Sequence, residues 1–199
     1  MVLNMKKILM MMVAVLALAL TACGNKAAKN QSAETDGNAD CVKNSKVLVA
    51  YFSASGVTAG VAKQLAEVTG GELHQIQPEQ PYTDADLDWR DKQSRSTLEM
   101  LDKTSRPAII NKLDSISQYD VIYVGFPIWW GTAPTIVNTF MESYDFSGKT
   151  VTLFATSGGS GIEQANKDFM EAYPNVNWKK GKLLNSPSKQ ELEEWVKGL

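Results

Sequence analysis

The chain has 199 residues, with 20 Lys and Arg against 22 Asp and Glu, 44% hydrophobic residues, one His and two Cys. At roughly 100 to 200 residues per domain this length makes one domain with a sizeable core, and the near-neutral charge without basic clusters argues against a nucleic-acid surface. One His and two Cys also supply too few ligands for a zinc site of the usual kind.

Five of the eight Met residues fall in the first twelve positions, where Lys6 and Lys7 precede an unbroken apolar run from Ile8 to Leu20. That run is shorter than the roughly 20 residues a helix needs to span a bilayer, so residues 1–22 are expected to be a secretory signal. The signal contains no Arg and hence no twin-Arg tag for folded cargo; the chain is expected to cross unfolded and to take up any ligand outside the cytoplasm. Its ending, Leu20-Thr21-Ala22-Cys23-Gly24, resembles the bacterial lipoprotein box, which implies that Cys23 becomes the lipid-bearing first residue of the mature protein. Removing residues 1–22, with Lys6 and Lys7 as their only charges, takes the net charge from −2 to −4. Residues 23–45 carry no aromatic side chain and almost no large aliphatic one, too little apolar surface to offset the entropy of ordering, so they read as a flexible tether. Cys41 within it is either an idle exposed thiol or one half of an intermolecular disulfide.

From residue 46 the pattern alternates between strand and helix. Val47 to Phe52 is a continuous apolar run, as expected for a strand buried on both faces. Val57 to Val68 has helical spacing, with Val61, Leu65 and Val68 on one face and Gly70-Gly71 closing it. A short strand follows over Glu72 to Gln77. Residues 78–107 are polar and charged, with a helix expected around Asp84 to Asp102. Asp120 to Phe126 is a buried strand, Pro134 to Ser143 a helix with Pro at its start, and Lys149 to Thr156 another strand. A helix over Gly161 to Ala172 and a weaker strand over Val176 to Leu184 precede Ser188-Lys189-Gln190-Glu191, a capping box opening a last helix with Leu192, Trp195 and Val196 inward. The alternation predicts an α/β fold, a parallel sheet with helices on both faces, in one domain over 46–199.

Ligands of open parallel sheets bind beyond the carboxyl ends of the strands, so the segments after the three most apolar strands carry the candidate chemistry. Ser53-Ala54-Ser55-Gly56-Val57-Thr58 joins a strand directly to a helix N-terminus. Its hydroxyls, its glycine and the free N–H groups of the first helical turn form a cradle for phosphate. It lacks the Lys of a nucleoside triphosphate loop, which suits a lone phosphate monoester. Pro127-Ile128-Trp129-Trp130-Gly131 offers flat aromatic faces for stacking, although one of the two indoles is expected to pack inward. Ser157-Gly158-Gly159 brings bare backbone close to whatever the Trp loop holds. Together they describe a site for a phosphorylated planar heterocycle. The only histidine, His74, falls on the second strand, away from these loops, as a core or edge-strand residue.

These stretches, with Tyr144-Asp145-Phe146-Ser147-Gly148-Lys149, resemble bacterial flavodoxin-like proteins, particularly an exported lipoprotein branch, over about Lys46 to Leu199. The resemblance implies a flavodoxin-like three-layer, doubly wound five-stranded parallel sheet of order 2-1-3-4-5 and noncovalent FMN. By position, the hydroxyls of Ser53, Ser55 and Thr58 and the backbone of Ala54, Gly56 and Val57 would hold the 5′-phosphate. Pro127, Ile128, Trp129, Trp130 and Gly131 would flank the isoalloxazine, with Ser157, Gly158 and Gly159 on its other side. Two positions depart from the flavodoxin pattern: Ser55 stands where Thr is common and Val57 where Asn is common, the latter losing a side-chain amide.

The resemblance leaves three roles open: an electron carrier at the membrane surface facing an unidentified redox partner, an FMN-dependent NAD(P)H or quinone reductase, and a noncatalytic lipoprotein binding some other phosphorylated ligand. No acid occurs in 126–141 or 156–162, and Glu142 and Glu163 are the nearest along the chain, which predicts a less negative reduced couple than in strongly acidic flavodoxins. The charged stretch Glu79 to Pro107, with Tyr82 and Trp89, either covers the flavin site or shields a sheet edge, and the second is the expectation.

Overall fold

A computed structural model describes residues 45–199. The signal expected over 1–22, the lipid attachment expected at Cys23, the tether expected as far as Asn44, and Cys41 lie outside the described residues. Among the described residues no helix is long and apolar enough to cross a membrane.

The chain alternates as its sequence predicts: β1 (Val47–Tyr51), α1 (Val57–Thr69), β2 (Glu72–Gln75), α2 (Arg95–Leu101), β3 (Val121–Pro127), α3 (Thr135–Glu142), β4 (Thr150–Thr156), α4 (Glu163–Ala172), β5 (Asn177–Leu183) and α5 (Lys189–Lys197). All four strand pairings are parallel, in the order β2-β1-β3-β4-β5. The central strands are largely apolar because both faces are covered, with Thr152 and Thr156 of β4 buried among the apolar residues. Leu48, Ala50, Ile122, Val124, Val151 and Leu153 point to the layer of α3 and α4, where Ile136, Phe140, Ala165 and Phe169 are buried with them. Val49, Tyr51, Tyr123 and Phe154 point to the opposite layer, against Val61 and Leu65 of α1 and Leu192 of α5. The pleat thus sorts successive residues between two cores and yields three layers.

Packing demands glycine at two points of the sheet, Gly125 of β3 and Gly181 of β5, where a Cβ on Gly181 would stand 2.7 Å from the Leu153 carbonyl oxygen. A Cβ on Gly125 of β3 would collide with the ring of Phe154 on β4, which covers that backbone. The helix boundaries also follow local chemistry. Gly70 ends α1 in the left-handed region at φ 65°, and Ser188 with Glu191 forms the capping box of α5, its Oγ accepting from the Glu191 amide at 3.2 Å. Leu192 is fully buried there, with Trp195 and Val196 packed beside it.

The segment between β2 and β3 departs from expectation. Only Arg95–Leu101 of the anticipated 84–102 helix forms. Short polar side chains hold the preceding backbone in turns: Thr83 and Asp86 bond reciprocally, Asp88 accepts from the Arg90 amide and Asp91 from the Gln93 amide. Such local bonds compete with helix formation. The second strand is also shorter than expected. After Gln75 the chain turns away, and Pro78 bridges antiparallel to Ile109.

Candidate functional site

The strand order reverses between β1 and β3, and an open sheet of this order holds ligands at that switch point, a rule of which flavodoxins are themselves an instance. Here the loops after β1, β3 and β4 converge on one groove of about 440 Å³. Ser55 and Val57 line it from the first loop, Pro127, Ile128 and Trp129 from the second, and Thr156, Ser157 and Gly158 from the third.

In the first loop Gly56 adopts φ 87° at the N-cap position of α1, a turn that an L side chain would strain. No side chain caps α1 and no acid lies in its first turn, so its leading N–H groups stay open to an anion. The three hydroxyls expected at the phosphate differ in their surroundings. Ser55 is exposed and Ser53 half-buried, with Ser53 Oγ accepting from the Gly56 amide at 3.1 Å. Thr58 is 1% exposed, and its Oγ1 lies 2.8 Å from Thr156 Oγ1 inside the protein. Residue 58 falls one step into the helix, where the side chain turns back over the sheet end. Ala54 is half-buried against the core, while Gly56 and Val57 are exposed.

The second loop is a two-residue hairpin. Trp129 and Thr132 exchange backbone hydrogen bonds at 2.9 and 3.0 Å, and between them Trp130 (φ 47°) and Gly131 (φ 85°) are both left-handed. Positive φ at both central positions is the type I′ signature, uncommon for a bulky residue such as Trp130. The indoles divide as the sequence suggested. Trp129 packs inward, edge-on to Phe52 at 5.6 Å and Tyr82 at 5.3 Å, while Trp130 is 48% exposed.

The third loop, Ser157 to Gly159, is pinned from the turn just past β5. Asn185 takes the Ser157 amide on Oδ1 at 2.9 Å and returns Nδ2 to the Ser157 carbonyl at 2.8 Å. Ser157 Oγ in turn accepts from the amides of Gly159 and Ser160. A Cβ on Gly158 or Gly159 would meet nothing within 4 Å, and neither has a left-handed φ. Nothing in the protein itself requires glycine there; the bare backbone leaves space for something else. Asn185 and Ser186, which also line the groove, escaped the sequence reading. Their signal, a polar Asn-Ser-Pro turn just past the last strand, was present but resembles any loop.

The segment between β2 and β3 divides into two stretches with different contacts. Residues 108–111 bond the chain just past β2: Glu79 donates to Ala108, Ile110 donates to Gln77, Asn111 Oδ1 accepts from the Gln77 amide at 2.9 Å, and Asn111 Nδ2 donates to the carbonyl of Gln75, the last residue of β2, at 2.5 Å. Residues 82–97 cover the Trp hairpin, against the expectation that the charged stretch Glu79 to Pro107 shields a sheet edge. Tyr82 packs on Phe52 and Trp129, and its hydroxyl donates to Glu99 at 2.5 Å. Arg95 pairs with Glu99 at 2.7 Å and lies 4.1 Å over the Tyr82 ring. Burial and the Glu99 carboxylate push the Tyr82 phenol well above its ordinary range, so it stays a donor.

Electrostatics near the hairpin also differ from the reading along the chain. Glu142 is engaged by Arg106 at 2.7 and 2.8 Å, which holds its carboxyl below the usual range. The acid that reaches the hairpin is Asp168 of α4, accepting from Thr132 Oγ1 at 2.6 Å. Helix packing delivers a carboxylate that proximity in sequence did not predict. His74 lies on edge strand β2, its ring stacked on Phe140 at 6.0 Å and its Nε2 buried without a partner.

A doubly wound parallel sheet with an uncapped helix N-terminus, an aromatic hairpin and a bare-backbone loop at its switch point defines a nucleotide-binding α/β protein. The chain belongs to the flavodoxin family, whose pattern it matches over residues 46–199. It is 51% identical to a presumed flavoprotein from Bacteroides eggerthii DSM 20697 (TM-score 0.76), covering 78% of this chain and 98% of that one. It is 56% identical to another from Bacteroides uniformis ATCC 8492 (TM-score 0.75), covering 77% and 98%. A flavoprotein from Lactobacillus acidophilus NCFM in complex with FMN shares the fold at 24% identity and TM-score 0.58, covering 76% and 99%. Among curated proteins none matches the chain.

Proposed function

We propose that this protein binds FMN noncovalently in the switch-point groove and transfers electrons through it outside the cytoplasm, held to the membrane by a lipid on Cys23. FMN supplies one- and two-electron redox chemistry that the side chains lining the groove do not offer. The carrying observation is the meeting, in one groove, of a helix N-terminus with no cap or acid and a loop whose glycines nothing in the protein explains. The first-turn amides of α1 with Ser53 and Ser55 hold a terminal phosphate. Trp130 and Ile128 flank a planar ring from one side and Ser157 to Gly159 from the other. Thr58 acts from inside, fixing α1 to the end of β4 through Thr156. The FMN carried by the Lactobacillus acidophilus flavoprotein supports this choice of ligand.

Titrating the purified protein with FMN tests the reading. One equivalent should quench flavin fluorescence to a sharp end point, and a protein that leaves flavin fluorescence unchanged contradicts it. Labelling of Cys23 by a fatty-acid analogue, abolished in Cys23→Ser, checks the anchor. A reductase role has one observation in its favour, the pocket that the insertion builds beside the Trp hairpin.

A further inference from the structure

Residues 82–97 do more than cover the hairpin. They enclose with it a second pocket of about 270 Å³, lined by Leu87, Trp89 and Ser96 from the insertion and by Ile128, Trp129 and Trp130 from the hairpin. Ile128 and Trp129 line the switch-point groove as well, so the two spaces adjoin.

The lining is chemically narrow. It has three indoles, two aliphatic side chains and one hydroxyl, and no charged side chain. Ser96 is 1% exposed and its Oγ has no hydrogen-bond partner. Its neighbours on the same turn are satisfied: Ser94 Oγ donates to Thr97 Oγ1 at 2.8 Å, and Thr97 Oγ1 donates to the Asp91 carbonyl at 2.9 Å. A buried hydroxyl without a partner is unfavourable, and an apolar pocket with one such group is the usual design of a small-molecule site. At the rim, Trp89 is 66% exposed and Trp130 48% exposed. Indoles left in water on both sides of one opening are suited to gripping a flat ring. The volume is below the range of drug-sized sites and admits about one or two fused rings.

We propose that this pocket binds a neutral, planar, one- or two-ring molecule carrying a carbonyl oxygen, the quinone class, with Ser96 Oγ–H donating to that oxygen and Trp89 and Trp130 flanking the ring. The pocket itself depends on no flavin. Its meaning as a substrate site beside the flavin rests on the function proposed above, and it then names the substrate class of that site. A quinone carbonyl takes the buried hydroxyl that lacks a partner, and the uncharged lining turns away nicotinamide nucleotides and carboxylates.

The test uses 2,3-dimethyl-1,4-naphthoquinone, whose blocked ring positions prevent addition to thiols, titrated calorimetrically into the FMN-loaded protein and into the protein alone. One molecule should bind per chain. Trp89→Ala, at an exposed position that the fold does not need, and Ser96→Ala should each weaken it about threefold to tenfold. Both variants should keep the FMN affinity within about twofold of the parent, and Ser96→Ala should melt no lower than the parent, since it removes an unpartnered group. A naphthoquinone sulfonate should bind at least about tenfold more weakly, because no charged side chain lines the pocket and the Arg90 guanidinium lies over the Trp89 ring instead, 5.0 Å from its centroid. Absence of naphthoquinone binding, binding unchanged in both variants, or equal binding of the sulfonate would overturn the proposal. Loss of FMN affinity in step with the quinone would also overturn it, assigning the pocket to the flavin and leaving the FMN reading intact. A protein that takes the quinone but no FMN would support the pocket while refuting the flavin.

Discussion

Thr58 Oγ1 and Thr156 Oγ1 lie 2.8 Å apart, both residues nearly fully buried, and so join the start of α1 to the end of β4 across the switch point. One hydrogen bond thereby ties the loop after β1 to the loop after β4. Thr156→Val should strand the Thr58 hydroxyl and cost about 1–3 kcal/mol of stability by urea unfolding, with a measurable loss of FMN affinity. The double variant Thr58→Val with Thr156→Val should recover most of the stability, because two apolar groups of like shape replace the pair.

At the Trp hairpin, stability and binding should move in opposite directions. Trp130 occupies a type I′ position where Asn before Gly is the favoured chemistry. Trp130→Asn should therefore leave the unfolding midpoint unchanged or raise it. The same change removes the exposed indole and should weaken FMN by roughly threefold to tenfold, equivalent to about 0.5–1.5 kcal/mol of aromatic contact.

Glycines of the sheet and of the groove should behave differently. Gly125→Ala drives a methyl into the Phe154 ring and should destabilise by about 1–3 kcal/mol or more. Gly158→Ala meets no protein atom and should change stability little or raise it by up to about 1 kcal/mol, through the unfolded chain. Its effect should appear as lost flavin affinity instead, so the pair separates folding glycine from binding glycine by two titrations.

His74 supplies a pH dependence of known sign. Burial lowers its pKa below the ordinary 6.5, outweighing the hydrogen bond with Asn111 and the attraction of Glu72. The unfolded chain therefore binds the proton first as pH falls. The stability from neutral His74 is complete above about pH 6.5 and is lost as pH drops from there towards the lower folded value. Glu142, held low by Arg106, keeps its own contribution until the solution falls below the ordinary carboxylate value of 4.5. Urea midpoints should thus decline between pH 7.5 and 5.5, and His74→Gln should flatten that interval.

The sequence and structure agree where one kind of information suffices. Val47 to Phe52 and the run after Asp120 were legible because a strand buried on both faces is a near-continuous apolar run, and Lys149 to Thr156 because its threonines and apolar residues are strand formers. Loop chemistry after those strands was legible because a parallel sheet assigns its strand ends to one edge. What the chain order hides is contact between segments distant in sequence. Asn185 clasping Ser157 and Asp168 meeting Thr132 arise only when helices and strands pack. The insertion misled for another reason: its helical pattern over 84–102 was broken by Thr83, Asp86, Asp88 and Asp91, whose side chains bond nearby backbone. A tryptophan at positive φ is likewise invisible in sequence, since the turn type is fixed by the Trp129–Thr132 pairing.

The central claim is a groove built for a flavin with a terminal phosphate, and comparing FMN with riboflavin tests it most directly. The two ligands share the ring and differ only in the group assigned to the α1 N-terminus. Titrated into the same purified protein, FMN should bind at least about a hundredfold more tightly than riboflavin, a preference of roughly 2.7 kcal/mol assigned to charge-assisted bonds at the cradle. Equal affinities, or binding of neither, would contradict the account.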